Sequence, residues 1–247
     1  MLTFFFPMWN EEAMIPHTVG VAGQTGDELI AAGEIADYEI LIVDDASNDA
    51  TGQIADDLVA TDPRVRVVHH AVNHGLGGSV RTGLAEARGD LVLYCDADMP
   101  FDMHELGKAL RLLRAYEADI VSAYRFHRMG EGVRRILYSS IYNALVRTVL
   151  RLRIRDVNFA FKLLRREVVE QLELRSEGSF IDAELLAKAQ RHGFHIIQFG
   201  VDYFPRARGT STLSSSAVII QILRELAFLL PSVYRVKPRP GRPRRSA

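Results

Sequence analysis

Two aspartates, Asp96 and Asp98, stand one residue apart at the end of an apolar run that begins at Leu91. If that run is a β-strand, side chains two positions apart project to the same side of the sheet. Paired carboxylate oxygens suit Mg²⁺ or Mn²⁺, which complete their coordination with substrate phosphates and water. A metal bound there would act as a Lewis acid on a departing diphosphate. Acidic turns after strands are common, so the weight of this pair depends on its surroundings.

A second pair of aspartates, Asp44 and Asp45, follows another apolar run, residues 39–43. Carboxylate oxygens accept hydrogen bonds, so this pair could bind the base and ribose of a nucleotide. Ser47 or Asp49 could cap the helix that is predicted next. Capping needs only one of these residues, and the aspartate pair therefore stays a candidate for ligand binding.

Two further polar segments are predicted at the same edge of the sheet. Residues 7–11 follow the first apolar run and combine the aromatic ring of Trp9 with polar groups. Residues 73–79 form a glycine-rich turn that opens a predicted helix, where Gly75 and Gly77 would let the backbone approach a phosphate or ribose closely. Neither segment is a Walker loop or a Gly-x-Gly-x-x-Gly motif after the first strand, which argues against a dinucleotide oxidoreductase.

The elements that must position these residues alternate along the first half of the chain. Apolar runs at residues 2–6, 39–43, 65–69 and 91–95 are separated by predicted helices. Apolar runs that end in carboxylates or turn residues are typical of buried parallel strands whose carboxyl ends carry a site. The pattern predicts an α/β fold with a doubly wound, mostly parallel sheet in a single domain.

Composition and charge exclude several classes of protein. The 247 residues are 48% apolar and 25% charged, close to the globular average, which argues against disorder or a fibrous repeat over most of the chain. The formal charge of −1 predicts no general affinity for nucleic acid. The single cysteine, Cys95, excludes an internal disulfide and lies in an apolar run, where we expect it in the core.

The ordered set of motifs resembles the family 2 glycosyltransferases with a GT-A fold, in particular the polyprenyl-phosphate sugar synthases typified by dolichyl-phosphate mannose synthase. The family patterns are Pro-x-Tyr-Asn-Glu, Asp-Asp-Gly-Ser, Asn/Arg-x-Gly-x-Gly, Asp-Ala-Asp, Gly-Ser-Arg and Arg-x-x-Gly-x-Ser-Lys. The similar segments here, in the same order, are Pro7-Met-Trp-Asn-Glu11, Asp44-Asp-Ala-Ser47, Asn73-His-Gly-Leu-Gly77, Asp96-Ala-Asp98, Ser122-Ala-Tyr-Arg125 and Arg206-Ala-Arg-Gly-Thr-Ser211.

The resemblance implies an inverting transferase that moves a hexose, mannose or glucose, from a GDP- or UDP-linked donor to a polyprenyl or dolichyl monophosphate. It implies Mg²⁺ or Mn²⁺ as cofactor, held by Asp96 and Asp98, while Arg125 would face the acceptor phosphate. Asp98, Arg125 and Asp182 are the expected catalytic residues. The residues expected to bind the donor are Pro7, Trp9, Asn10, Glu11, Asp44, Asp45, Gly75, Gly77, Asp96, Ala97, Asp98, Arg206 and Arg208.

Three departures from the family patterns bear mainly on the acceptor and the metal. Met99-Pro100 stands where the synthases often have a Gln or His metal ligand. Phe159-Ala160 replaces a Ser-Gly pair, and Thr212 replaces the lysine of the last motif. The sequence therefore leaves open which acceptor is used and how the metal shell is completed.

Three alternatives remain open. A hydroxyl acceptor on a glycan, protein or small lipid would need a carboxylate to take its proton, a contribution of about 10²- to 10⁴-fold. Asp182 at the start of a predicted helix is the candidate, and helix capping is its other possible role. A degenerate nucleotide-sugar-binding or membrane-adaptor protein is motivated by Met99-Pro100. A sugar-phosphate nucleotidylyltransferase should carry a glycine-rich, arginine-containing motif after the first strand, where Pro-Met-Trp-Asn stands.

The resemblance predicts a GT-A-like domain at residues 1–213. The residues that follow predict an amphipathic C-terminal helix at 214–232 and a basic, disordered tail at 233–247 that could touch anionic lipid. The apolar stripe within residues 217–230 suits either a core position or an interfacial helix, and it is too short and too interrupted for a transmembrane helix. We expect a peripheral protein at the cytoplasmic face of the membrane, with room for a separate membrane-spanning partner.

Overall fold

A seven-stranded sheet organises the part of the chain that the computed structural model describes, residues 1–126, 133–204 and 216–238. The strands are β1 Leu2–Met8, β2 Tyr38–Asp44, β3 Val65–His69, β4 Leu91–Cys95, β5 Ile120–Arg125, β6 Phe161–Arg165 and β7 Ile196–Val201. They lie in the order β3-β2-β1-β4-β6-β5-β7. Strand β6 runs antiparallel to both of its neighbours, and every other neighbouring pair is parallel.

Helices cover both faces of the sheet. Within the described ranges they are α1 Ile15–Ala31, α2 Thr51–Thr61, α3 Gly75–Glu86, α4 Glu105–Ala115, α5 Val133–Leu150, α6 Arg166–Gln171, α7 Ile181–His192 and α8 Ser216–Arg235. Helices α1 and α4 contribute to one core layer, and α3, α5, α7 and α8 contribute to the other. The predicted α/β class with a doubly wound, mostly parallel sheet is confirmed.

Strand β1 illustrates burial on both faces. Phe4 and Phe6 belong to the core layer of α1 and α4, whereas Phe5 belongs to the layer of α3 and α7. Neighbouring side chains of a strand face opposite ways, so an unbroken apolar run marks a strand that is covered on both sides. A Cβ added at Gly83 of α3 would overlap the Phe5 ring, so glycine allows this helix to approach the sheet closely.

Two features of the second half were not predicted. Strand β6 is the reversed strand, and an apolar run carries no signal for the direction in which it crosses the sheet. Helix α6 follows β6 directly with Arg165 as its N-cap residue, and its six residues are too few to show helical periodicity.

Helix α8 packs its inner face on the domain. Leu226, Leu229 and Val233 are buried in the core layer that includes α7, so the described part of the apolar stripe is a core face. The helix ends at Arg235, and residues 239–247 of the predicted tail lie outside the described residues. Among the helices of the described ranges, none is both long and apolar enough to cross a membrane.

Candidate active site at the carboxyl edge of the sheet

Three of the predicted segments end side by side. Strands β2, β1 and β4 are adjacent and parallel, so their carboxyl ends share one edge of the sheet. Pro7 lies in β1 opposite Val43, Asp44 is the last residue of β2, and Asp45 follows it. The pair Asp96 and Asp98 follows β4 at the same edge.

The turns after β1 and β2 are joined by hydrogen bonds. The Asn10 N–H donates to Ser47 Oγ at 3.0 Å, and the Glu11 N–H donates to Thr51 Oγ1 at 2.8 Å. These bonds make the two turns one unit at the edge of the sheet. Trp9 precedes them with 49% of its surface exposed, and its ring is therefore accessible for stacking on a nucleobase.

Left-handed backbone conformations cluster at this edge. Asn10, Ala46 and Met99 have φ angles of 55°, 55° and 37°, and each lies within four residues of the end of β1, β2 or β4. Asparagine tolerates this conformation, whereas it costs alanine or methionine on the order of 1–2 kcal/mol. Such strain is common at functional sites. The φ of Ala46 also explains why the similar family motif has glycine at that position.

Both aspartates after β2 are held by histidines at the end of β3. Asp44 Oδ2 lies 2.9 Å from His69 Nδ1, and Asp45 Oδ1 lies 2.6 Å from His70 Nδ1. The other ring nitrogen of His70 is 2.9 Å from Thr82 Oγ1 in α3. The two aspartates are buried, so these contacts fix their orientation beneath the edge. The histidines were missed because polar residues at the end of an apolar run read only as the end of a strand.

The glycine-rich turn lies against residues 176–177. The Gly77 N–H donates to the Glu177 carbonyl oxygen at 2.9 Å, and a Cβ at Gly77 would overlap the Ser176 carbonyl. Gly75 has a φ of +70°, and a Cβ there would lie 2.6 Å from the Glu177 carbonyl oxygen. The described structure thus requires both glycines for a protein contact. Their predicted contact with the donor stays a prediction.

The turn that carries Asp96 and Asp98 is held by one hydrogen bond from α1 and by one within the turn. The buried Ala97 accepts a hydrogen bond through its carbonyl from Thr18 Oγ1 at 2.6 Å, and the Met99 N–H donates to the Asp96 carbonyl at 3.2 Å. Both aspartates are half-buried. Two carboxylates on such a turn fit a hard divalent cation whose other ligands are phosphate and water oxygens. Among the described His, Cys, Asp and Glu side chains, no group of three forms a ready metal site.

Arg125 at the end of β5 is oriented by Asp156. Its Nε lies 2.7 Å from Asp156 Oδ2 and its Nη2 lies 3.1 Å from Oδ1, a two-point contact that fixes the guanidinium plane. The rings of Phe159 and Tyr203 lie 5.7 Å and 5.2 Å from the guanidinium carbon. Asp156 was not predicted as a partner, because an aspartate 31 residues away along the chain gives no local signal.

Asp182 lies in a buried ion pair. Lys162 Nζ of β6 donates to Asp182 Oδ1 at 2.6 Å and to the Phe159 carbonyl at 3.0 Å. Burial raises the pKa of Asp182, and Lys162 opposes that shift. Burial also raises the pKa of the Tyr94 hydroxyl well above its usual value, with further contributions from the charges of Asp182 and Asp96. The α7 N-cap residue, Phe180, makes no side-chain capping bond, and Asp182 is bound to Lys162 instead.

Two predicted phosphate contacts, Arg206 and Arg208, lie outside the described residues.

The sequence analysis missed Lys162 as a buried residue. A lysine inside the short strand Phe161–Arg165 reads as its solvent-facing residue, whereas the structure buries it completely.

Comparison with known proteins identifies relatives along most of the chain. The model of the family described as Glycosyl transferase family 2 matches residues 3–173. Glycosyltransferase AglD of Haloferax volcanii is 35% identical over 205 residues, which cover 81% of this chain and 32% of AglD. Polyprenol monophosphomannose synthase of Mycolicibacterium smegmatis is 30% identical, with coverage of 86% and 80%. Undecaprenyl-phosphate mannosyltransferase of Micrococcus luteus is 27% identical, with coverage of 86% and 87%. The chain thus spans about a third of AglD and most of the other two relatives.

Solved structures share the fold. Glucosyl-3-phosphoglycerate synthase from Mycobacterium tuberculosis, in complex with Mn²⁺ and UDP-glucose, has a TM-score of 0.65 at 21% identity over 98% of this chain and 81% of that one. Mannosyltransferase PcManGT from Pyrobaculum calidifontis, in complex with GDP-mannose and Mn²⁺, has a TM-score of 0.58 at 18% identity over 95% and 73%. These neighbours have the GT-A-like architecture that the motifs predicted. With the family match over residues 3–173 and the 30% identity to a relative of similar length, the chain belongs to glycosyl transferase family 2.

Proposed function

We propose that this chain transfers a hexose, mannose or glucose, from a GDP- or UDP-linked donor to a polyprenyl monophosphate, with inversion at the anomeric carbon. The observation that carries the proposal is the convergence of Asp96 and Asp98 with the joined turns after β1 and β2. The printed names of two relatives, a polyprenol monophosphomannose synthase and an undecaprenyl-phosphate mannosyltransferase, support a lipid phosphate as acceptor.

The donor would lie along the edge formed by β2, β1 and β4. Trp9 would stack on the base, while Asn10 and Glu11 with Asp44 and Asp45 would surround the nucleoside. Asp96 and Asp98 would hold Mg²⁺ or Mn²⁺, which supplies Lewis-acid stabilisation of the leaving diphosphate when bound. Arg206 or Arg208 would add cationic contacts to the phosphates.

Three considerations support a phosphate acceptor over a hydroxyl. A lipid monophosphate is already anionic near neutral pH and needs no protein base, so catalysis reduces to positioning and charge stabilisation. Asp156 holds the Arg125 guanidinium in one orientation, and this positioned cation would attract the acceptor phosphate. Asp182, the candidate base for a hydroxyl acceptor, is instead paired with Lys162 at 2.6 Å.

The reaction would take place at the cytoplasmic face of a membrane, where a polyprenyl phosphate resides and where the chain would bind peripherally. A separate membrane-spanning partner remains a prediction.

The proposal is tested by following radiolabel from GDP-mannose or UDP-glucose into organic-extractable lipid with polyprenyl phosphate present. Reactions with Mg²⁺, Mn²⁺ or a chelator are compared for the wild type, Asp98→Ala and the exposed α2 control Asp57→Asn. Metal-dependent labelled lipid that is lost in Asp98→Ala and kept in Asp57→Asn is the expected result. Donor hydrolysis without labelled lipid would reject the phosphate acceptor, and no turnover of either donor would reject the transferase.

A further inference from the structure

The outer face of α8 carries an exposed aromatic ring. Phe228 is 83% exposed, although it lies well inside a 20-residue helix whose inner residues Leu226 and Leu229 are buried. An isolated exposed apolar side chain has little meaning by itself. Its significance here comes from the residues that share its stripe.

Arginines flank Phe228 along the helix. Arg224, Phe228, Pro231 and Arg235 follow the spacing i, i+4, i+7 and i+11, which places them in one stripe, and all four are exposed. The stripe lies opposite the buried side of the helix. An aromatic ring between cationic side chains is typical of helices that lie in the interface of an anionic membrane, where the ring enters the acyl boundary and the cations meet headgroups.

The acidic residue in this part of α8 is hydrogen-bonded to the domain. From Arg224 to the end of the sequence, Glu225 is the single acidic residue, and its carboxylate accepts a hydrogen bond from Ser176 Oγ at 2.7 Å. Lys237 beyond the helix is exposed, and the Arg191 guanidinium stacks 3.7 Å from the Tyr234 ring at the same end. The resulting positive surface complements anionic lipid, whereas a second copy of the same stripe would oppose it with like charge.

The hydrogen bond between Ser176 and Glu225 also connects α8 to the candidate site. Ser176 donates to Glu225 of α8 through its hydroxyl, and its carbonyl lies against Gly77 in the turn beside Asp45. Ser176 therefore contacts both α8 and the turn at the edge where the donor is expected.

We propose that the outer stripe of α8, formed by Arg224, Phe228, Pro231 and Arg235, is the surface by which this chain docks on an anionic lipid bilayer, with Phe228 inserted. The purpose of this docking rests on the proposed function, since it would bring the site to a lipid-borne acceptor. The binding itself can be measured without donor or acceptor.

Vesicle flotation of the full chain tests the proposal, with phosphatidylcholine vesicles that contain or lack phosphatidylglycerol. The wild type should float only with the anionic vesicles. Phe228→Ser should lower the partition coefficient about tenfold. Arg224→Gln combined with Arg235→Gln should lower it about 25-fold, at about fivefold per arginine. Tyr116→Ser, which removes a 58% exposed aromatic residue beyond α4, should leave partitioning unchanged.

Three results would overturn the docking surface. The first is a wild type that does not float. The second is binding that Phe228→Ser leaves unchanged, which would assign attachment to the basic tail. The third is a dimer, detected by light scattering, that Phe228→Ser dissociates. Transfer to polyprenyl phosphate in detergent micelles separates this inference from the proposed function. Turnover in micelles without vesicle binding removes only the docking surface, and vesicle binding without turnover removes only the transferase.

Discussion

Lys162 and Asp182 form an ion pair of 2.6 Å inside the domain, with 0% and 3% of their side chains exposed. The pair joins β6 to α7, next to the strand that delivers Asp96 and Asp98. Two buried charges keep their ionised forms only while each has the other, because removal of one leaves the other desolvated without compensation. The ion pair thus stabilises the packing of α7 on β6, next to the strand that leads to the candidate active site.

Removal of the lysine should destabilise the protein strongly. Lys162→Met leaves the Asp182 carboxylate buried and should lower the free energy of unfolding by about 3–5 kcal/mol, as measured by urea denaturation. The double variant Lys162→Met with Asp182→Leu should recover most of this loss. As a control, Lys108→Met breaks a partly exposed pair with Glu105, 3.5 Å long, and should cost less than about 1 kcal/mol. A Lys162→Met protein as stable as the wild type would contradict a stabilising role for this ion pair.

Relief of backbone strain should stabilise the edge of the sheet. Ala46 has a φ of 55°, which glycine adopts without strain, so Ala46→Gly should raise the free energy of unfolding by about 0.5–1 kcal/mol. Ala60→Gly on an exposed position of α2 should lower it by about the same amount, since glycine weakens a helix. Equal losses of unfolding free energy in Ala46→Gly and Ala60→Gly would contradict backbone strain at Ala46.

The pairing of His69 with Asp44 predicts a pH dependence. Burial lowers the pKa of His69, but hydrogen bonds to Asp44 and Asp56 outweigh this, and the pKa lies above its usual 6.5. A raised folded pKa gives stability that is complete below pH 6.5 and is lost as the pH rises through the folded value. The stability difference between wild type and His69→Gln should therefore shrink as the pH rises above 6.5. A difference that grows with pH would be inconsistent with this pairing.

Contact between the glycine-rich turn and residues 176–177 predicts opposite effects for two glycines. Gly77→Ala would push a Cβ into the Ser176 carbonyl and should cost about 1–3 kcal/mol of stability. Gly20→Ala in α1 meets no atom within 4 Å and should add up to about 1 kcal/mol through helix propensity. Thermal unfolding of both variants makes the comparison. Gly77→Ala should also raise the KM for the donor. The N–H of His74 in this turn donates to Asp45, which is one of the residues expected to bind the donor.

Local signals in the sequence were sufficient for much of this architecture. Strands β3 and β4 have the bounds of their apolar runs, because each run is bracketed by polar or turn residues. The placement of Asp44, Asp45 and the Asp96 turn at one edge follows from parallel strands that share it. What escaped prediction depends on register and tertiary burial. His69 reaches Asp44 only because β2 and β3 align at that level, and Lys162 is buried only because α7 brings Asp182 to it.

The most direct test of the central claim is a contest between acceptors. The wild type is given labelled GDP-mannose or UDP-glucose with either polyprenyl monophosphate or the matching polyprenol, in detergent and with Mn²⁺ or Mg²⁺. Labelled polyprenyl-phosphate sugar from the phosphate alone, identified by mass spectrometry and lost in Asp98→Ala, is the predicted result. Label transferred to the alcohol, and abolished by Asp182→Asn with folding intact, would contradict the phosphate acceptor and assign Asp182 the role of a base.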